Sequence, residues 1–199
     1  MIRVPPQRGG WLEVICGPMF SGKSEEMIRR LRRAEIGGQR VVIFKPAIDD
    51  RYDASDVVSH AGARMQAVPI RSAAEIATKA EGFDVVAIDE AQFLGEGVVL
   101  TALDLADRGV RVVVAGLDQD FRRLPFVPMP ELLSHAEFVD KLQAVCHRCG
   151  GPATTTQRLV GGEPAPYSGD TVVVGAAEQY EARCRGCHEP GVGAALVAA

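Results

Sequence analysis

The chain of 199 residues contains no run of about 18 apolar residues, the length that reads as a helix crossing a bilayer, so no membrane partner is expected. Its first residues, MIRVPPQRGG, lack the apolar core of a secretory leader, and the expected compartment is the cytoplasm. An excess of positive charge is also missing. The formal charge of −4 argues against a nucleic-acid partner, because affinity for a polyanion comes from Lys and Arg neutralising phosphates. The one clear basic cluster, Arg29, Arg30, Arg32 and Arg33, reads as a solvated helix face or as ion pairs to neighbours. Cysteine is scarce: four of the five fall into two CxxC pairs, which excludes a disulfide framework in a reducing compartment. The fifth, Cys16, lies in an apolar strand pattern and reads as a small buried residue. No internal repeat is present.

What is there has the balance of a globular protein, 47% hydrophobic and 24% charged. From Leu12 to about Val145, β-branched runs alternate with helical stretches: LEVIC, a helix from Lys23, RVVIF, SAAEIATKA, DVVAID, VVLTALDLA and RVVVAG. Continuous apolar strands interleaved with helices predict a mainly parallel sheet covered on both faces, an α/β fold. After Val145 come CHRCGG, the Gly- and Pro-bearing GGEPAPYSGD, a strand-like TVVVG and CRGCHE, too little apolar material for a core of its own. The expected organisation is an extension over 1–10, a nucleotide-binding domain over 11–143, a small metal-stapled domain over 144–190 and a poorly ordered tail over 191–199.

GPMFSGKS, residues 17–24, is a Walker A loop in its proper setting, with a strand before it and an amphipathic helix after it. Gly17 and Gly22 let the backbone of Pro18, Met19, Phe20 and Ser21 curl its N–H groups toward a triphosphate. Lys23 would bridge the β and γ phosphates, and Ser24 would ligate Mg²⁺, so the donor is expected to be Mg-ATP. DVVAIDEAQF supplies the partner strand: Asp89 at its end suits holding Mg²⁺, and Glu90 is either a base for the attacking nucleophile or a solvated loop acid. Ala91 and Gln92 complete this segment of the nucleotide site. After the second strand, Asp49 could order Mg²⁺ or its waters and Arg51 could neutralise transition-state charge, with a surface ion cluster formed by Asp49, Asp50 and Arg51 as the other reading.

Cys146-x2-Cys149 and Cys184-x2-Cys187 have the form of two zinc knuckles offering four thiolates to one structural Zn²⁺. His147 and His188 adjoin them as possible substitute ligands. A large loop, roughly Leu159 to Asp170, is expected to hang from this site.

With GPMFSGKS, DEAQF, GLDQDFRRLPF and the CxxC pairs in this order, the sequence closely resembles the zinc-containing type II class of thymidine kinases across nearly all of Leu12 to Cys187. The resemblance implies a RecA-like α/β domain with a zinc-bound lasso, usually in a homotetramer. It also implies ATP-dependent phosphorylation of the thymidine 5′-hydroxyl, with Glu90 as catalytic base and feedback by dTTP. It places Met19 near the thymine methyl, Leu117, Phe121 and Phe126 in the pocket wall with Phe93 nearby, Thr156 at the methyl pocket, Tyr180 against the nucleoside, and the main chain of Val172, Val173, Val174 and Gly175 at the pyrimidine edge. From the residues alone, Phe121 and Phe126 read as core rather than as pocket wall. The chain departs from the family at Gly175-Ala176, where a Gly-Gly pair is common, and at Ala91, where Gly or Cys is frequent; His60 matches a recurrent position without a firm role. Two rival readings stand beside the kinase: a zinc-ribbon P-loop ATPase acting on nucleic acid, and a noncatalytic adaptor with a vestigial P-loop.

Overall fold

The computed structural model describes residues 9–47, the backbone of 56–58, residues 64–169, residue 171 and residues 178–191. Six strands form a sheet in which every neighbouring pair is parallel: β1 (Trp11–Cys16), β2 (Val41–Pro46), β5 (Val68–Ile70), β6 (Val85–Ile88), β7 (Arg111–Gly116) and β8 (Phe138–Lys141), in the spatial order β5-β2-β6-β7-β1-β8. The fold is therefore α/β. A short antiparallel pair, β3 (Asp56–Val58) with β4 (Arg64–Gln66), lies outside this sheet.

Helix α1 (Lys23–Ile36) covers one face of the sheet. Its Met27, Ile28, Leu31 and Ala34 meet Ile15, Ile43, Val85, Ala87, Val113 and Ala115. The other face is covered by α2 (Ala74–Lys79), α3 (Gly97–Asp107) and α4 (Met129–His135), whose apolar side chains pack on Leu12, Val14, Phe44, Val86, Ile88, Val112 and Val114. Alternate strand residues thus feed opposite cores, which is why these strands read as continuous apolar runs. Because the strands are parallel, the carboxyl ends of β1, β6, β7 and β8 lie along one edge, the place where such sheets gather ligands.

The basic cluster on α1 divides. Arg32 and Arg33 are exposed and Arg29 pairs with Glu26 at 2.6 Å. Arg30 is not on a solvated face: it is 5% exposed and pairs with Glu13 of β1 at 2.7 Å, with Glu26 at 2.9 Å and with Asp140 of β8. Arg111 reaches the second oxygen of Glu13 at 2.7 Å, so the buried carboxylate is held between two guanidiniums.

Beyond β8, short antiparallel elements follow: β9 (Ala144–Val145) with β10 (Pro152–Ala153), and β11 (Thr155–Val160) between β12 (Glu163–Pro164) and β13 (Glu178–Arg183). Their apolar centre is small, Ala144, Cys146, Ala153 and Ala182. The segment expected to be an open loop from Leu159 begins as a hairpin instead. Gly161 and Gly162, at φ 60° and 87°, supply the two left-handed residues that a tight turn between paired strands needs. The tail from residue 192 and the run Val172–Gly175 fall outside the described residues.

Candidate functional site

The loop between β1 and α1 is shaped by its glycines. At Gly17 a Cβ would lie 2.5 Å from the carbonyl of Leu142, so no side chain fits where the loop passes the end of β8. Gly22 takes φ 83° at the N-cap of α1 and no side chain caps the helix, leaving first-turn N–H groups facing outward for an anion. The Ser21 hydroxyl and the Lys23 ammonium both donate to the Pro18 carbonyl, at 2.8 and 2.7 Å. Burial lowers the Lys23 pKa, while Glu90, Asp89 and Asp118 pull it back up. A cation so placed gains by meeting phosphate oxygens.

At the end of β6, Asp89 is buried and its carboxylate accepts a 3.4 Å hydrogen bond from the Ser24 hydroxyl. Burial, with Glu90 beside it, pushes the Asp89 carboxyl up to about 7. The Ser24 hydroxyl and Asp89 carboxylate are oxygen donors, and their separation is near the roughly 3 Å between adjacent ligands of an octahedral Mg²⁺ at 2.1 Å, so the pair fits that ion. Glu90 adopts the left-handed conformation, φ 52° and ψ 40°, a strain of about 1 kcal/mol for a residue with a side chain. It is kept there by the 3₁₀ turn Ala91–Phe93 and by Gln92, whose amide donates to the Glu90 carboxylate. The other end of the Gln92 side chain accepts the Leu117 N–H at 3.0 Å, so one buried amide joins Glu90 to the strand end of β7.

Strand β11 meets the loop between β1 and α1. The Met19 N–H donates to the Thr156 hydroxyl at 3.0 Å, bringing together two positions far apart in sequence. Phe93 and Phe126 touch edge to face, 5.8 Å apart at 87°, and Leu117 is half-buried beside them in the chain path. Phe121 is 7% exposed with the Arg158 guanidinium 4.4 Å over its ring and Arg122 at 5.6 Å. Tyr180 is half-buried and stands opposite Arg158 in the β11–β13 register. Asp49, Asp50, Arg51, His60 and Val172–Gly175 lie outside the described residues.

Residues 10–188 match the thymidine kinase family. The chain belongs to that family. It is therefore a nucleoside kinase in the broad sense. Among solved structures, the flagellar accessory protein FlaH from Methanocaldococcus jannaschii matches at 10% identity over 79% of this chain and 76% of its own, with a TM-score of 0.48, a likeness too loose to bear on the site.

The four cysteines of this thymidine kinase family member cluster as a candidate metal centre. The sulfurs of Cys146, Cys149, Cys184 and Cys187 all lie within 4.8 Å of one another. Those of Cys149 and Cys184 are 3.7 Å apart, close to the roughly 3.8 Å edge of a tetrahedron with 2.3 Å Zn–S bonds. Soft thiolates in that arrangement fit zinc. Neither histidine joins them: His147 is exposed and lies 3.6 Å from Glu181, and the His188 Nε2 is 2.9 Å from the Phe121 carbonyl. Burial lowers the pKa of His188, favouring the neutral ring.

Cys16 is fully buried and burial raises its thiol to about 11, so it is inert packing. Sequence reasoning passed over Asp118 and Lys141. Their 2.7 Å ion pair sits at the ends of β7 and β8, beside the loop, and the buried Asp118 electrostatically supports Lys23. The signal was available: an acid two residues beyond the end of β7, close to the place Asp89 takes after β6.

Proposed function

We propose that this protein transfers the γ-phosphate of ATP to the 5′-hydroxyl of thymidine, giving dTMP and ADP, as an ATP:thymidine 5′-phosphotransferase. The reading rests chiefly on the convergence of Lys23, Ser24, Asp89 and Glu90 at one sheet edge, in a chain that matches the thymidine kinase family.

On this reading the backbone of residues 17–24 holds the triphosphate of ATP. Lys23 leaves the Pro18 carbonyl for phosphate oxygens, as a buried ammonium with a weak neutral partner should when an anion arrives. Ser24 and Asp89 would hold Mg²⁺, which when bound supplies charge neutralisation at the phosphates. Glu90 accepts the proton of the 5′-hydroxyl as that oxygen bonds to the γ-phosphorus and the bond to the β–γ bridging oxygen breaks. Gln92 aims the Glu90 carboxylate from below. Asp49 would order the metal waters and Arg51 would neutralise charge on the transferring phosphoryl group, roles that rest on their place in the sequence just after β2.

Met19, Thr156, Phe93, Leu117, Phe121, Phe126 and Tyr180 would enclose the nucleoside, with Val172–Gly175 offering main-chain groups to the base. Cys146, Cys149, Cys184 and Cys187 would hold a structural Zn²⁺ that ties down both ends of this enclosure. A homotetramer in the cytoplasm with dTTP feedback belongs to the same reading.

The test is a panel of nucleosides incubated with ATP and Mg²⁺, followed by product identification. Thymidine should give dTMP more efficiently than deoxycytidine gives its monophosphate. ATP hydrolysis stimulated by DNA with no nucleoside phosphorylated would overturn the assignment.

A further inference from the structure

His188 follows the last candidate zinc ligand, and its main chain belongs to the metal knuckle: the N–H groups of Cys187 and His188 both donate to the Cys184 carbonyl, at 3.1 and 3.0 Å. The flanks are pinned as well. The Arg183 guanidinium donates to the Cys187 carbonyl at 3.1 Å, and the Gln157 side chain both accepts from the Glu189 N–H at 2.8 Å and donates to its carbonyl at 3.1 Å. The direction in which the His188 ring points is therefore set by the knuckle and by β11.

That ring leaves the knuckle altogether. It is buried, and its Nε2 lies 2.9 Å from the Phe121 carbonyl. A carbonyl can only accept, so Nε2 carries a proton, and the buried Nδ1 has no hydrogen-bond partner among the described residues. At the receiving end, residues 120–124 form a tight turn around Asp120, whose carboxylate accepts the N–H groups of Arg122 and Leu124 at 2.8 and 3.0 Å. Within the turn the N–H groups of Asp120, Arg122, Arg123 and Leu124 find partners, but the Phe121 carbonyl takes its bond from His188, 67 residues away.

We propose that His188 is a positioning residue, which passes the geometry of the metal knuckle to the Phe121 wall of the nucleoside site. The four cysteines, with zinc bound, would then steady two separate walls, the strands β11 and β13 and the turn after β7. The nucleoside part of this inference rests on the proposed function; the mechanical part, from knuckle to turn, does not.

The test uses the zinc-loaded full chain and the variants His188→Ala and His188→Gln, the second keeping an N–H donor at similar reach. Three readouts are taken: zinc per chain by elemental analysis, amide exchange across residues 118–126, and calorimetric affinities for thymidine and for ATP. With His188→Ala, one zinc per chain should remain and the amides of the 120–126 turn should exchange faster. Thymidine affinity should fall by about two- to tenfold, the worth of one hydrogen bond, with ATP affinity changed less than about twofold. His188→Gln should recover most of the difference, and stripping zinc from the wild type should speed exchange at the same amides. Unchanged exchange over 120–126 in His188→Ala, or loss of zinc from that variant, would overturn the proposal. A wild type that shows the exchange pattern yet binds no thymidine would overturn the proposed function and leave the mechanical link standing.

Discussion

Asp89 and Glu90 are neighbours in sequence with different environments. The burial that pushes Asp89 up to about 7 disfavours its carboxylate, the form a metal requires. Binding of Mg-ATP near pH 7 should therefore release a proton and weaken as the pH falls through 7. Calorimetry in buffers of different ionisation enthalpy, at pH 6 and 8, measures both, and pH-independent binding without proton release would remove Asp89 from the metal. Glu90→Gln should keep ATP affinity and lose about 10²- to 10⁴-fold in turnover, the range for removing a general base. Near wild-type turnover would leave Glu90 without that role. At this scale the sequence was most legible where chemistry dictates spacing, as in residues 17–24 and the CxxC pairs. It was silent on Gln92 joining Glu90 to Leu117 and on His188 joining the knuckle to Phe121, because those bonds span 25 and 67 residues and leave no local pattern.

Among the elements, the strands buried on both faces were readable from their unbroken apolar runs, and the edges were not. β5 is three residues long and contains Pro69, β8 is a four-residue edge strand, and β13 reads EQYEAR, a polar sequence without a strand's usual signature. Arg30 shows the same limit in a helix, since periodicity put it on α1 but could not reveal Glu13 and Asp140 waiting on β1 and β8. Removing it takes one guanidinium from the buried Glu13 and a charge partner from the half-buried Glu26 and Asp140. Arg30→Met should cost about 3–5 kcal/mol of stability in urea unfolding, with turnover per folded molecule preserved. A loss below 1 kcal/mol would mean that the partners left to Glu13, among them Arg111 and the Trp11 indole N–H, satisfy it without Arg30.

For the molecule as a whole, the division of apolar material is uneven. The parallel sheet is packed on both faces, whereas the strands around the four cysteines share an apolar centre of three alanines and Cys146. Zinc bound by the four cysteines would add folding energy there. Elemental analysis should find one zinc per chain, and chelation should lower the thermal midpoint and speed amide exchange in β9 to β13 before β1, β6 and β7. A metal-free chain with unchanged midpoint and exchange would contradict this. No helix among the described residues is long and apolar enough to cross a membrane.

The hydrogen bond from the Met19 amide to the Thr156 hydroxyl joins the loop between β1 and α1 to β11. On the proposed function the ATP and thymidine sites meet at this bond, and any linkage carried through it would have no direction. Whatever factor a bound triphosphate contributes to nucleoside affinity, a bound nucleoside must return to the triphosphate.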